Sequence, residues 1–507
     1  MSIPNSQFPT PKEGCTRDVG ERSSFSWLSR LPGRSCHSRA LGVGSWLLGV
    51  VSITGCAVGP HYVQPQVPVP AAYKEVSADG GLQTAQPRDH LSREGWWELF
   101  GDAELDELEA RLMHSNPSLA EAEARVRQAR ALARQDRAEY FPVVTGTTSA
   151  TRTRPGATAR AGTSSITLTE YALAAGASWE ADLWGRIRNT VASGKASAQA
   201  AIGDLESTRL SLSAELAADY FQLRSFDAEL ALFDQTIEAY QRAATLTRNQ
   251  YDSGIVSRAD VEQANTQLAS AQAQAIDDRL QRAQLEHAVA VLIGEPPASL
   301  SLSPTPLQGE PPFVPADLPS RVLERRPDVA AAERRVAAAN AQIGVASAAF
   351  FPAVTLGGSG GFQATQLQQW LSLPMRAWSV GPALALTLFD AGARRAAKAQ
   401  SVAGYDITVA AYRQTVLAAF QDVEDNLVAE RLLAAEAEQQ RAAVAAAQRS
   451  LDISLNQYRA GLVSYLQVAT QQTALLTNQR TAVSVTARRF TAAVQLVQAL
   501  GGGWNDE

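Results

Sequence analysis

Cysteine, histidine and methionine are scarce in this chain of 507 residues, which holds three, five and three of them. Three cysteines exclude a disulfide scaffold, and so few histidines leave little material for a metal site. Aromatic residues make up only 7% of the chain. No apolar run reaches the ~20 residues that a membrane-spanning helix needs. The formal charge of −6 offers no basic footprint for nucleic acid. No phosphate-binding loop, dinucleotide fingerprint or EF-hand loop is present. What remains is rich in small apolar residues. Hydrophobic residues are 45% and charged residues 19%, which excludes a disordered chain. Nineteen of the 60 residues from Ala391 to Ser450 are alanine. Such a composition predicts long, closely packed helices rather than a broad aromatic core. The length allows two to four globular domains, or one large symmetric unit.

The first 39 residues are polar and carry Arg17, Arg22, Arg30, Arg34 and Arg39. An uncharged apolar stretch, Ala40 to Thr54, follows and ends in small residues. A positive flank, a short apolar run and a small-residue exit read as a secretory signal. The run closes on Ile53-Thr54-Gly55-Cys56. That sequence resembles a bacterial lipobox, in which the cysteine is acylated and becomes the first mature residue. The alternative is a plain signal with an unrelated cysteine. Cleavage before Cys56 removes Cys15 and Cys36, so no disulfide can form within the mature chain. The leader carries net +3, so its loss leaves −9.

The rest is one unit written twice. Asn116-Pro117 and Tyr140-Phe141-Pro142 recur 210 residues later as Arg326-Pro327 and Phe350-Phe351-Pro352. Gly185, Tyr251, Gly254 and Gly294 recur at an offset of 207 as Gly392, Tyr458, Gly461 and Gly501. Between the halves, residues 296–319 hold eight prolines in 24 positions, a linker that is neither helix nor central strand. The division expected is a leader at 1–55, an extended segment at 56–102, repeats at 103–295 and 320–501, the linker between them, and a tail at 502–507.

Each repeat reads as helix, strand pair, long helix, helix. The first helices, about 103–139 and 319–349, stop at Phe-Pro, because the residue before proline is pushed out of the helical region. Strands are expected at about 143–184 and 353–390. Tyr171, Leu173 and Trp179 alternate with Ala172, Ala174 and Ser178, and Trp378, Val380 and Leu384 alternate with Ser379, Gly381 and Ala383. Period two with one apolar and one small, polar face fits an outer-membrane strand, with aromatics gathered near the strand ends. A soluble sandwich with one wet face is the alternative, and Pro382 is awkward for either. Arg186 to Asp252 and Arg394 to Arg459 lack helix breakers, and each would run roughly 100 Å as one helix. Val409, Tyr412, Val416, Ala419 and Val423 form a coiled-coil seam within the second. Gly254 and Gly461 mark turns that stop these helices. Four strands cannot close a barrel, and open edges are not tolerated in lipid. Two copies give a barrel filled by side chains, whereas three copies give about twelve strands and a bore.

Two motifs carry little chemistry. Gly357-Gly358-Ser359-Gly360-Gly361 matches the hydrolase pattern G-x-S-x-G, but that motif needs a strand-to-helix turn and a later histidine. No histidine follows His287. His61, His90, His114 and His287 are not paired at metal-ligand spacing. Trp96-Trp97 reads as a packing anchor.

Taken together, the chain resembles the TolC-like outer-membrane factors, in their NodT-type lipoprotein branch. The resemblance rests on Cys56-Ala57-Val58-Gly59-Pro60, Trp96-Trp97 with Phe100-Gly101-Asp102, Asn116-Pro117, Asp182-Leu183-Trp184-Gly185-Arg186, Arg325-Arg326-Pro327-Asp328, Leu388-Phe389-Asp390-Ala391-Gly392, Tyr458-Arg459-Ala460-Gly461 and Leu500-Gly501-Gly502-Gly503-Trp504. It implies an α+β membrane protein: a homotrimer with a barrel of about twelve strands in the outer membrane, four from each chain, continued by an α-helical coiled-coil tunnel into the periplasm. It implies a duct with no catalysis and no cofactor. Its partners would be outer-membrane lipid, a periplasmic adaptor and an inner-membrane pump of the resistance-nodulation-division type. Small molecules or drugs would be the cargo. A type I protein-secretion duct has the same architecture and is the alternative. Ala57 after the acylated Cys56 fits delivery to the outer membrane of a Gram-negative bacterium.

The resemblance also places a gate near the second tyrosine–arginine turn, at Tyr458 and Arg459. Members of the family commonly carry an aspartate about twelve residues beyond the tyrosine, and some an arginine three further on, where this chain has Thr470 and Thr473. The acidic partners expected for Arg459 are therefore Asp252, Asp260 and Glu262, around the first turn. Alternatively, Arg459 only neutralises a helix C-terminus.

Overall fold

The computed structural model describes residues 58–70, 72–74, 95–154, 167–314 and 325–502. Seven α-helices and four strands carry the described fold. They are α1 (Ala103–Ser115), α2 (Pro117–Ala138), β1 (Val143–Thr153), β2 (Leu168–Ala181), α3 (Arg186–Asp252), α4 (Arg258–Leu292), α5 (Pro327–Ala348), β3 (Ala353–Ala364), β4 (Arg376–Ala385), α6 (Ala393–Arg459) and α7 (Tyr465–Ala499). The order repeats: α3 and α6 both run 67 residues, and α4 and α7 both run 35.

The single first helix expected at 103–139 is in fact two. Pro117 forces Asn116 to an extended backbone (ψ 122°), and the Asn116 side chain then accepts from the Leu119 N–H at 3.0 Å. Pro117 takes the first helical position, where its missing N–H costs nothing. Nor is the segment 56–102 extended throughout: Trp96–Phe100 forms a 3-10 turn held by the core, with both tryptophans buried. Residues 58–70 do run extended along the helices. The Val58 N–H donates to the Trp184 carbonyl, Asn340 donates to the Pro60 carbonyl, Tyr62 donates to Glu333, and the Lys74 N–H donates to Glu424.

The long helices pair as α3 with α4 and α6 with α7, and α3 also lies against α5 and α7. The main core gathers where α1, the 3-10 turn and the middle parts of α3 and α6 meet the C-terminal ends of α4 and α7. Tyr412, Val416, Ala419 and Val423 of the expected seam are all buried there. Small residues at such seams let larger neighbours pack against them: Ala264 of α4 is buried among Leu451, Tyr465 and Leu475, and Ala271 and Ala275 among Phe233, Tyr240 and Leu476. None of the described helices is long and apolar enough to cross a membrane.

The four strands form one antiparallel sheet in the order β1-β2-β3-β4. Strand and helix are joined twice by the same device. Asp182 accepts from the N–H groups of Ile187 and Arg188 at 3.1 and 2.9 Å, and Asp390 accepts from those of Gly392 and Arg394 at 3.0 and 3.2 Å. Each aspartate therefore caps the helix that follows the sheet. This is the physical content of the repeated Asp-x-x-Gly and Asp-Ala-Gly motifs.

Candidate functional site

The ladder registers sort the sheet into two faces, because directly opposed residues share a face. Leu173 and Trp179 of β2 stand opposite Phe362 and Leu356 of β3, and Leu356 and Val354 stand opposite Pro382 and Leu384 of β4. This face is apolar and uncovered: Trp378, Val380 and Leu384 are 77%, 69% and 68% exposed. On the opposite face Thr145, Thr147, Ser149 and Thr151 line β1, opposed by Gly176, Ala174, Ala172 and Glu170. That face continues through Ser359 and Gln363, with Gln363 donating to Glu170 at 2.5 Å. A sandwich would bury the apolar face against a second layer, but here it stands open. Among the described residues, strands β1 and β4 are the two edges of the sheet, each without a neighbouring strand on one side. Within the single chain, Pro382 lies in an edge strand, opposite Leu356.

Aromatic side chains brace the helical end of the sheet. The Trp179 indole donates to the Tyr140 carbonyl at 2.9 Å, and the Trp184 indole donates to the Pro352 carbonyl at 2.8 Å while stacking on Phe351 with centroids 4.7 Å apart. Trp378 lies near the opposite end, in the third position of β4. Indole rings at both ends of an apolar band suit two membrane–water interfaces.

The far ends of the long helices carry the candidate gate. Gly254 and Gly461 hold φ of 75° and 74°, a region that only glycine enters cheaply, and so stop α3 and α6 in matching turns. The Tyr458 hydroxyl donates to Gln250 at 2.6 Å, and its ring meets Tyr465 edge-on at 5.8 Å. Tyr458 thus ties the end of α6 to the end of α3. The acidic candidates are engaged locally. Asp252 lies 3.7 Å from Arg248, Glu262 lies 3.5 Å from Arg258, and Asp260 forms a capping box with Ser257. Arg459 is exposed, and among the described residues none of the three carboxylates pairs with it within the chain. Thr473 donates to Ala469 and to Gln267, linking α7 with α4, while Thr470 donates only to its own helix. Ile255 and Leu462, 72% and 76% exposed, form the tips of the two turns.

Two charged clusters escaped the sequence reading, because their members lie far apart in the chain. In the first, the buried Arg224 donates to Asp227 at 2.9 Å, to the Ser303 carbonyl at 2.7 Å, and to Glu104. Asp227 also accepts from Arg282 at 2.6 Å and from the Thr305 N–H at 2.9 Å. In the second, Arg480 of α7 donates to Glu229 of α3 at 2.8 Å and lies 3.4 Å from Asp278 of α4. Burial, reinforced by Glu229, pushes the Asp278 carboxyl up to about 6. Glu229 and Arg480 line a cavity of about 570 Å³ between α4 and α7.

No group of three metal-binding side chains occurs among the described residues. Ser359 sits in mid-strand rather than at a strand-to-helix turn, and its hydroxyl is bonded to that of Ser379 at 2.9 Å. Cys56 and the leader lie outside the described residues.

The family model described as outer membrane efflux protein matches residues 110–295 and 318–502. The toluene efflux pump outer membrane protein TtgC of Pseudomonas putida is 32% identical over 472 residues, covering 92% of this chain and 96% of its own. The solved structure of the outer-membrane channel OprN is 30% identical with a TM-score of 0.81, over 89% of this chain and all of that one. That of the outer membrane protein VceC from Vibrio cholerae is 28% identical with a TM-score of 0.75, over 81% and 99%. An open-edged sheet with one apolar and one polar face, set on two 67-residue helices, is accounted for in one way by all of these, and the chain belongs to the outer membrane efflux protein family.

Proposed function

We propose that this chain is the outer-membrane duct of a tripartite efflux assembly, with three copies closing one barrel and extending it as a helical tunnel. The observation that carries the reading is the two-faced sheet with unpaired edges. Its apolar face suits lipid, its threonine- and serine-lined face suits water, and its edges are tolerable in a membrane only if another copy pairs with them. Three such sheets give about twelve strands and a bore, where two would be filled by side chains.

The duct itself performs no bond chemistry. Cargo is passed on from an inner-membrane pump through a periplasmic adaptor, and the exposed Ile255 and Leu462 at the turn tips are suitable contacts for that adaptor. A relative named for toluene efflux favours small apolar molecules as cargo. Expression in a strain lacking its own outer-membrane channel, together with a matching pump and adaptor, should restore resistance to a toxic solvent. The Ser359→Ala chain should restore it equally, and loss of resistance in that variant would point back to a hydrolase.

The leader at 1–55 is removed and Cys56 is acylated. Support comes from the extended segment: Val58 is bonded to Trp184 at the foot of the sheet, so the segment is held near the membrane level at its start. Replacing Cys56 with Ser should abolish incorporation of labelled palmitate, and persistent labelling would rule out the assignment. Resistance should survive in part, because the barrel also anchors the protein.

A further inference from the structure

The segment between β3 and β4, residues 365–375, lies at the end of the sheet away from the helices. Two 3-10 turns, Leu367–Gln369 and Leu373–Met375, fold it compactly. An aqueous loop tip would be expected to carry polar residues, yet Leu367, Leu371 and Leu373 are 61%, 61% and 73% exposed. The direction in which this loop folds is fixed by Trp370, whose ring meets Tyr171 with centroids 6.3 Å apart. Tyr171 belongs to the apolar face of β2, in register with Ala364. The loop therefore leans over the apolar side of the sheet rather than over the polar side, where it could cover the bore.

Dimensions support the same placement. From Trp179 to Tyr171 the apolar band of β2 runs about 27 Å along the strand, or about 21 Å along the membrane normal at a tilt of ~40°. That is short of the ~25 Å apolar band of an outer-membrane barrel. Leucines of a loop folded over the apolar face extend the band by the missing height. Charge agrees too. Arg376 opposes Phe362 and Arg152 opposes Thr169, in register positions that belong to the apolar face, at the outer ends of β4 and β1. Both are exposed. Cations at that level complement phosphorylated headgroups.

We infer that the β3–β4 loop is an outer-leaflet anchor, inserting Leu367, Leu371 and Leu373 among the acyl chains while Arg376 and Arg152 meet anionic headgroups. The inference rests on the outer-membrane reading of the sheet and adds a lipid-binding element to it. It makes the loop part of the membrane-facing wall, not an external lid.

The test places a nitroxide label at Leu371→Cys and, separately, at Leu373→Cys of the full chain, in vesicles of phosphatidylethanolamine and phosphatidylglycerol. The unmodified chain, treated in parallel, supplies the background. Leu384→Cys reports the apolar face of the sheet, and Ser149→Cys reports the polar face. Collision rates with lipid-soluble oxygen and with a water-soluble nickel chelate are read by power saturation. The labels at 371 and 373 should follow that at 384, with oxygen exceeding nickel several-fold, and 149 should show the reverse. Nickel dominating at 371 and 373 while 384 favours oxygen would overturn the inference and leave the barrel intact. Neither reagent reaching 371 and 373 would place a second copy over the loop, and would also overturn it. A label at 384 that fails to favour oxygen would bring down the outer-membrane reading itself.

Discussion

Replacing Tyr458 with Phe and Arg459 with Ser in one chain should raise the conductance of the reconstituted channel several-fold and admit vancomycin into cells. The Tyr458 hydroxyl holds Gln250 at 2.6 Å, across the gap between the ends of α6 and α3. Its loss removes a hydrogen bond of about 1 kcal/mol in each copy. Arg459 is exposed and is not paired with Asp252, Asp260 or Glu262 of its own chain. Around a three-fold axis it would meet carboxylates of the next copy, and a partly exposed pair of that kind contributes about 0–1 kcal/mol. A lock of several weak links is strong enough to stay shut and weak enough for an adaptor to open. Each substitution alone should give a smaller effect than the pair. Conductance and vancomycin sensitivity equal to those of the unmodified channel would place the gate elsewhere and leave Arg459 as a helix terminator.

A larger effect on stability is expected at Arg224→Met. The Arg224 and Asp227 side chains are 2% and 0% exposed, so deleting the guanidinium leaves the buried Asp227 with Arg282 as its remaining cation and takes the donor from Glu104 and the Ser303 carbonyl. Breaking a buried pair costs about 3–5 kcal/mol when the remaining charge is left alone, and Arg282 beside Asp227 keeps the loss toward the lower end of that range. The damage should spread along the chain, because Asp227 also accepts from the Thr305 N–H, and the Leu307 N–H donates to the Arg224 carbonyl at 3.0 Å. These bonds hold the start of the proline-rich linker against α3. Thermal unfolding in detergent should therefore shift strongly downward in Arg224→Met, and proteolysis near residues 302–307 should accelerate. Substituting the exposed Arg242, whose ion-pair partner among the described residues is Glu238 one turn away, should barely change either readout. Equal effects at both positions would deny the buried cluster its role.

The parts of this architecture legible in the sequence are those governed by local rules. Residues 186–252 contain no proline, and α3 spans that whole interval across Gly194 and Gly203. The alternation in β2 and β4 fixed which residues share a face before any register was known, and the ladders place Leu356 between Trp179 and Pro382 accordingly. The break at Asn116 has a local signal as well, since an Asn-Pro pair both expels a residue from the helix and caps the next one. Long helical periodicity on either side masked it.

What depends on distant parts of the chain was not legible. Glu104, Arg224, Asp227 and Arg282 form one cluster although 178 positions separate the first from the last. Nothing in their spacing announces it. Arg480, Glu229 and Asp278 meet only because α7 lies beside both α3 and α4. For the gate, sequence located the turns and Tyr458, but not Gln250, to which the Tyr458 hydroxyl donates. The turn glycines are recognisable alone, whereas a hydrogen bond between two helix ends depends on how those helices pack.

The central claim is that the two free edges of each four-stranded sheet are closed by other copies of the same chain. The mass of the detergent-solubilised particle, measured by native mass spectrometry on a preparation that also conducts ions in planar bilayers, tests it most directly. Three chains per conducting particle is the expected result. A conducting particle with the mass of a single chain would contradict it, since four strands with open edges cannot enclose a bore in lipid.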